Sequence, residues 1–351
     1  MTDNSRSSKE AGTMCVKRYK WLGINAGVAG LVLWAATASA AQWANPQLLL
    51  TPEDVMKNID KPNWVVVDCQ DLEDYLKGHI PGAISLGKKC GKALRDPSSR
   101  LLEPKKYEEL LGKVGIGNNT HVVFYHDDMK DFTDATVGFW VMEYLGHDKV
   151  YVLNGGLDAW RKAGQKLDTT PVKKEPTTFK AKVVASRLAP TSEILKIAKG
   201  QMKGVQLVDS RTGKEHKGED IRSVRGGHVP NTTANISHLD TLPEVKDPKT
   251  DKMVTTAYLD PDVAAKAFAK LDKNKRTVGY CQTGTRSTLT YLQLRALGFK
   301  NPANWDESWR VYGARTDYPA ADEQWYNFDA VNKELKSLDK KVETLEASTK
   351  K

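Results

Sequence analysis

Tyr280-Cys281-Gln282-Thr283-Gly284-Thr285-Arg286-Ser287 sets a thiol, a glycine and a guanidinium close together, just after the apolar run Thr277-Val-Gly-Tyr280. Residues 289–297 follow with the pattern of an amphipathic helix. A strand–loop–helix turn points backbone N–H groups inward and aims the positive end of the helix at the loop. A thiol held there is expected to have a depressed pKa and to act as a nucleophilic thiolate near neutral pH. Gly284 lets the backbone turn tightly around the sulfur. Arg286 returns to the loop mouth with a fixed positive charge suited to an oxyanion. An inert cysteine at a strand end is the bland alternative, and Gly and Arg at +3 and +5 before a helix argue against it.

The elements that must position this loop occur twice. Asn63-Trp-Val-Val-Val-Asp68 and Val205-Gln-Leu-Val-Asp209 read as buried parallel strands, followed by Gly78-His79-Ile80-Pro81 and Gly227-His228-Val229-Pro230. Val122-Val-Phe-Tyr125 and Thr277-Val-Gly-Tyr280 are a second matched pair. Each leads into a helix-length segment closing at a glycine, Gly146 or Gly298, and each unit ends near a tryptophan, Trp160 or Trp309. Strands alternating with helices predict an α/β fold with parallel sheets. The expected domains are residues 46–168 and 187–318, joined by a Pro- and Lys-containing linker over 169–186. Residues 240–252 read as a surface insertion. In the tail, 322–351, apolar residues at Phe328, Val331, Leu335, Leu338, Val342 and Leu345 make a helical stripe, expected to pack back on the second domain rather than to form a coiled coil.

Taken together, Val208-Asp209-x-Arg211, Gly227-His228-Val229-Pro230, the 281–286 loop and Asp306-Glu307-Ser308-Trp309 resemble the two-domain rhodaneses, thiosulfate sulfurtransferases and their relatives, over nearly all of residues 50–315. The resemblance implies two tandem rhodanese-like domains, each a parallel sheet flanked by helices. It also implies a persulfide mechanism. Cys281 would take the outer sulfur of a small anionic donor such as thiosulfate and pass it to a thiol or to cyanide. Backbone N–H groups of Gln282, Thr283, Gly284, Thr285 and Arg286 would hold the persulfide. Arg211 would face the pocket and bind substrate or brace the loop, with Asp209 orienting it. The Cys-x4-Arg spacing is tighter than the Cys-x5-Arg cradle of related phosphatases. In that family a charged loop goes with thiosulfate and an uncharged one with 3-mercaptopyruvate, so the resemblance implies thiosulfate as donor, with 3-mercaptopyruvate the alternative.

The first unit departs from this pattern. His126 stands where Cys281 should, with Asp127 and Asp128 after it, and Gln70 replaces the Arg211 equivalent. That domain is expected to be non-catalytic and to form a wall of the interdomain cleft. In the second unit Asn231 and Glu307 replace customary glycines. His126, Asp127, Asp128, Asp131 and Asp134 match no zinc or calcium spacing and read as a solvated loop, and the chemistry calls for no metal and no cofactor. His79 and His228 read as structural, each bonding nearby backbone.

The 351-residue length fits two domains, and the mixed composition excludes collagen-like, disordered and polytopic membrane classes. The net charge of +9 comes from 53 basic and 44 acidic residues that are interleaved, which favours small anions over a nucleic-acid groove. Lys17, Arg18 and Lys20 precede the apolar run 21–36 and an Ala38-x-Ala40 site, the pattern of a secretory signal. The mature protein is expected to be periplasmic or secreted; an uncleaved N-terminal anchor is the alternative. Cleavage would remove Cys15 and leave Cys69, Cys90 and Cys281, an odd number, so a Cys69–Cys90 bridge stays open. A second functional reading is a sulfur carrier for an envelope redox partner, with little turnover of its own.

Overall fold

The computed structural model describes residues 40–127, 129 and 132–349. The expected signal lies outside the described residues apart from Ala40, as do Cys15, Asp128 and Asp131. Among the described residues no helix is long and apolar enough to cross a membrane.

The first repeat contains strands β1 (Leu49–Leu50), β2 (Trp64–Asp68), β3 (Ile84–Ser85), β4 (His121–Tyr125) and β5 (Val150–Leu153). Helices α1 (Pro52–Met56), α2 (Leu72–Lys77), α3 (Cys90–Ala93), α4 (Pro104–Lys113), α5 (Phe132–Tyr144) and α6 (Gly156–Lys162) connect them. The strands are parallel in the order β1-β5-β4-β2-β3. Three successive valines make β2 stiff at χ1 and suited to a sheet. Its apolar side chains alternate between two cores because helices cover both faces.

In the second repeat the strands are β6 (Val205–Asp209), β7 (Arg225–His228), β8 (Ala234–Asn235), β9 (Glu244–Lys246), β10 (Met253–Thr255), β11 (Arg276–Tyr280), β12 (Asn301–Asn304) and β13 (Ala321–Trp325). Its helices are α7 (Thr191–Ala198), α8 (Gly213–His216), α9 (Pro261–Ala267), α10 (Arg286–Ala296) and α11 (Ser308–Gly313), with α12 (Phe328–Thr349) forming the tail. Parallel order β12-β11-β6-β8 reproduces the first sheet, and Leu188 bridges Asn304 where the first repeat has β1. Outside this sheet, β9 and β10 form a hairpin that takes in much of the expected 240–252 insertion and runs on to Thr255, and β7 pairs antiparallel with β13.

The repeats meet through α5 and α10. Helix α10 was expected to be amphipathic, yet its residues from Ser287 to Leu294 are all buried. The cause is that α5 covers the side its own sheet does not: Leu289, Tyr291, Leu292 and Ala296 join the core that contains Phe139 and Trp140. Polar groups on this seam are paired. Thr136 and Thr288 hydroxyls lie 2.7 Å apart, and Glu143 accepts from Arg295 at 2.7 Å and from the Tyr291 hydroxyl. Such seam leucines each contribute about 1.5–3 kcal/mol by burial.

The chain between the repeats is not a free tether. Thr177 N–H donates to Gly112 O at 2.9 Å, Lys182 N–H to Leu145 O at 2.9 Å, and Phe179 enters the first core. At the N-terminal side Asn45 caps the far end of α10, its N–H donating to Ala296 O at 2.9 Å and its Nδ2 to Arg295 O at 2.7 Å. Cys69 and Cys90 are joined by a disulfide, which resolves the pairing left open by the sequence.

The tail differs from expectation. Helix α12 buries none of its residues, and Leu335, Val342 and Leu345 are 53%, 51% and 65% exposed. Its 22 residues and the Lys333–Asp329 pair at 2.8 Å sustain helix locally, with no covering surface among the described residues.

Candidate active site

Strand β11 lies between β6 and β12, so the loop after Tyr280 emerges at the carboxyl edge of the sheet with α10 directly behind it. Gly284 sits at φ +72°, and a Cβ there would stand 2.3 Å from Asp306 O. No residue with a side chain fits that position without moving the 306–309 segment. The segment holds the loop in return. Trp309 N–H donates to Cys281 O at 3.0 Å and Arg310 N–H to Gln282 O at 2.8 Å. Ser308 Oγ accepts the Cys281 N–H at 3.1 Å and donates to Trp305 O at 2.7 Å. Asn304 Nδ2 donates to Gly284 O at 3.1 Å.

Cys281 is a free thiol with no exposed surface. Burial alone would push its pKa up. The Arg286 charge, with the backbone N–H groups and side chain of the loop at Ser287 and Thr283, outweighs burial and holds the thiol below its usual value. The local chemistry is therefore that of an activated sulfur nucleophile.

Arg286 does not stand free at a loop mouth as expected. It makes two 2.7 Å hydrogen bonds to Glu215, whose side chain is fully buried. Glu215 is fixed by a reciprocal capping arrangement with Thr212 at the start of α8. Arg286 thus supplies its charge to Cys281 while its hydrogen bonds are directed at Glu215. The short Thr212-x-x-Glu215 spacing was the available sequence signal for this partner.

Arg211 also differs from the pocket-facing expectation. It is 1% exposed, donates to Asp209 at 2.9 and 2.6 Å and to Gly227 O at 2.8 Å, and lies 4.7 Å from the Trp309 ring centre. Paired inside the domain, it supports the loop through Trp309 and has no surface to offer a substrate. Gln282 Nε2 donates to Arg222 O at 2.7 Å, and the Thr283 and Thr285 hydroxyls lie 3.4 Å apart.

One contributor comes from the first repeat and carries no sequence signal. Arg95, just after α3, donates to Thr283 O and to Asp306 Oδ1, each at 3.1 Å, and to Thr285 Oγ1 at 2.5 Å. Burial pushes the Asp306 carboxyl up to about 6 despite this cation. Nearby Arg100 pairs at 3.2 Å with Glu307, one of the residues that replace a glycine. The other, Asn231, takes φ +63° and donates from Nδ2 to Ile197 O at 3.0 Å, closing the end of α7.

The matched position in the first repeat is built for structure. Register places Tyr125 against Asp68 as it places Tyr280 against Asp209, so His126 follows where Cys281 does. His126 is buried and its carbonyl accepts the Leu157 N–H at 2.8 Å. Asp127 pairs with Arg161 at 2.7 Å, and Asp134 accepts the Gly91 N–H at 2.7 Å. The expected solvated loop is therefore tied down at these three residues, because α3 and α6 lie against it. His79 Nδ1 lies 2.7 Å from Tyr75 O and His228 Nδ1 3.0 Å from His216 O, as a structural role requires. A cleft of about 560 Å³ runs between α6 and the β9–β10 hairpin, walled by both repeats, but no residue of the 281–286 loop lines it.

The model of the rhodanese-like domain matches this chain twice, over residues 51–163 and 194–315. A thiosulfate sulfurtransferase of Corynebacterium glutamicum is 32% identical over 294 residues, 79% of this chain and 91% of the relative. Another, from Azotobacter vinelandii, is 27% identical over 282 residues, covering 79% and 98%. Among solved structures, a 3-mercaptopyruvate sulfotransferase from Escherichia coli shares the fold at TM-score 0.61 and 21% identity, over 75% of this chain and 98% of its own. An anaerobic ergothioneine biosynthesis enzyme from Chlorobium limicola shares it at TM-score 0.68 and 21% identity, over 79% and 71%. A doubled parallel sheet with a cysteine loop at the edge of its second half defines the class, tandem α/β proteins with two rhodanese domains. The chain belongs to the rhodanese-like family, and its relatives place it in the sulfurtransferase class.

Proposed function

We propose that the protein transfers sulfane sulfur from thiosulfate to a thiol or to cyanide through a Cys281 persulfide. The observation that carries this is the Cys281 thiol, lowered in pKa by Arg286 and by loop N–H groups within a Cys-x4-Arg turn. Thiolate attacks the outer sulfur of thiosulfate, the S–S bond of the donor breaks, and sulfite leaves with the bonding pair. Cyanide then attacks the terminal sulfur of the persulfide, giving thiocyanate and restoring the Cys281 thiolate. The loop amides stabilise the anionic sulfur at each stage. Relatives named thiosulfate sulfurtransferases support the donor, as does the charged loop.

Export to the periplasm or beyond is part of this proposal. The Cys69–Cys90 disulfide supports it, since such bridges persist in oxidising compartments. In that setting a thiol on an envelope redox protein is the second acceptor reading.

Thiocyanate formation from thiosulfate and cyanide tests the proposal, with wild type beside Cys281→Ser and 3-mercaptopyruvate as a parallel donor. The expected result is thiosulfate turnover that the substitution abolishes. Turnover with mercaptopyruvate alone would replace the donor and keep the nucleophile. Inertness toward both, with persulfide on Cys281 in the purified protein, would favour the carrier reading.

A further inference from the structure

Each carbonyl in the first part of the loop is held from outside by one donor. Cys281 O takes the Trp309 N–H, Gln282 O the Arg310 N–H, and Gly284 O takes Asn304 Nδ2. Thr283 O takes Arg95 Nη1 at 3.1 Å. In a trans peptide the C=O and the following N–H point to opposite sides. A carbonyl drawn outward therefore turns the next N–H to the inner side of the loop, and the Thr283 N–H, which follows the held Gln282 carbonyl, reaches Cys281. Three of the four holders belong to the second repeat. The fourth belongs to the repeat that lacks a nucleophile, and it controls the peptide of Gly284, the tightest point of the turn.

Arg95 is placed as firmly as the loop it holds. The residue is 5% exposed, and its Nε and Nη1 also donate to Gly91 O at 3.3 Å and Ser99 O at 3.4 Å. Helix α3, from which it extends, is fixed twice. Cys90 is joined to Cys69 at the end of β2, and Gly91 N–H donates to Asp134 at the start of α5. A covalent tether thus runs from the first sheet to the helix whose arginine reaches the loop of the second.

We propose that Arg95 is a positioning residue for the sulfur-carrying loop: by holding Thr283 O, Thr285 Oγ1 and Asp306 it fixes the turn whose Thr283 and Ser287 N–H groups reach Cys281, and the Cys69–Cys90 disulfide sets where its guanidinium stands. The inference rests on Cys281 being the sulfur-bearing group. Without Arg95 the Thr283–Gly284 peptide is free to rotate, and the Thr283 and Ser287 donors on either side of it hold the thiolate, and the persulfide after it, less well.

The test follows iodoacetamide alkylation of the Cys281 peptide against pH in wild type, Arg95→Ala, Arg95→Lys and the double variant Cys69→Ser/Cys90→Ser, together with kcat and KM for thiosulfate. In Arg95→Ala the alkylation midpoint should rise toward the ordinary thiol value of about 8.5. Its kcat should fall by about ten- to a hundredfold with little change in KM, short of the about 10²–10³ lost with an oxyanion donor. Arg95→Lys should recover part of both, because an ammonium can still donate to Thr283 O. The double serine variant should move both in the same direction by less. A folded Arg95→Ala with wild-type midpoint and kcat overturns the proposal. If that variant does not fold, unchanged midpoints in Arg95→Lys and in the double variant overturn it. Alkylation needs no sulfur donor, so a wild type inert to thiosulfate would sink the functional reading while the midpoints still decide the role of Arg95.

Discussion

Asp68 and Asp209 occupy the same place in the two repeats, at the end of the strand beside the loop strand. Each accepts a tyrosine hydroxyl, from Tyr125 and from Tyr280, and each binds the residue two positions on. In the first repeat that residue is Gln70, and burial pushes the Asp68 carboxyl up despite its hydrogen bonds. In the second it is Arg211, which with His216 overcomes burial and holds Asp209 well below the usual carboxylate range. One frame serves two electrostatic settings. A carboxylate–guanidinium pair at the end of β6 keeps a fixed charge arrangement beside Tyr280, the residue before the Cys281 loop. The neutral amide of the first repeat suits a loop that only packs.

The largest expected effect comes from asking whether the frame alone confers chemistry. Cys281→Ser combined with His126→Cys should show no thiocyanate formation, because in the sequence Asp131 stands at the +5 position that Arg286 holds in the second loop and brings negative rather than positive charge toward a thiol at 126. Recovered turnover would collapse the distinction between the repeats. Next in size, Arg211→Gln gives the second repeat the pairing of the first and leaves Asp209 buried without its cation. Urea unfolding should show a loss of about 3–5 kcal/mol, and a loss near zero would mean that the pair is dispensable.

A smaller effect belongs to Asp306. Its folded pKa, about 6, lies above the ordinary 3.8, so the folded state binds the proton more tightly than the unfolded one. Its contribution is fully present below about pH 4 and is lost as pH rises through 6; it amounts to at most about 3 kcal/mol. Asp209 has the opposite sign, contributing above 3.8 and losing that contribution as pH falls through its depressed pKa. Unfolding followed from pH 4 to 7 should therefore be flatter in Asp306→Asn than in wild type, and an unaltered slope would remove Asp306 from this account. The smallest effect is expected outside both repeats. Leu335→Glu should change stability by no more than about 0.5 kcal/mol, being half-exposed on α12. A larger thermal shift would show that the stripe is covered in solution.

The parts of the site legible in the sequence are those carried by neighbouring residues. The Cys281–Gly284–Arg286 spacing, the strand before it and the helix after it are local, and so is the repeated Asp–Tyr frame. What escaped arrives through space. Arg95 lies far from Thr283 in the chain, in a segment whose composition marks nothing, and only the docking of α3 beside the loop gives it meaning. Glu215 reads as a helix cap until the fold turns its carboxylate to Arg286. The amphipathic pattern of α10 misleads for a related reason: periodicity reports one buried face, and the covering of the other depends on α5. In α12 the same periodicity is present and no surface among the described residues covers it.

The segment around Asn45 that closes the far end of α10 gives this seam a further meaning. One helix carries the loop at its start, the chain's incoming strap at its end, and the opposing repeat along its flank. Separating the halves would uncover apolar surface on both and undo the cap together with the seam. Heat should consequently melt the two halves in one calorimetric step, and severing them should yield an aggregating second half rather than a small folded protein.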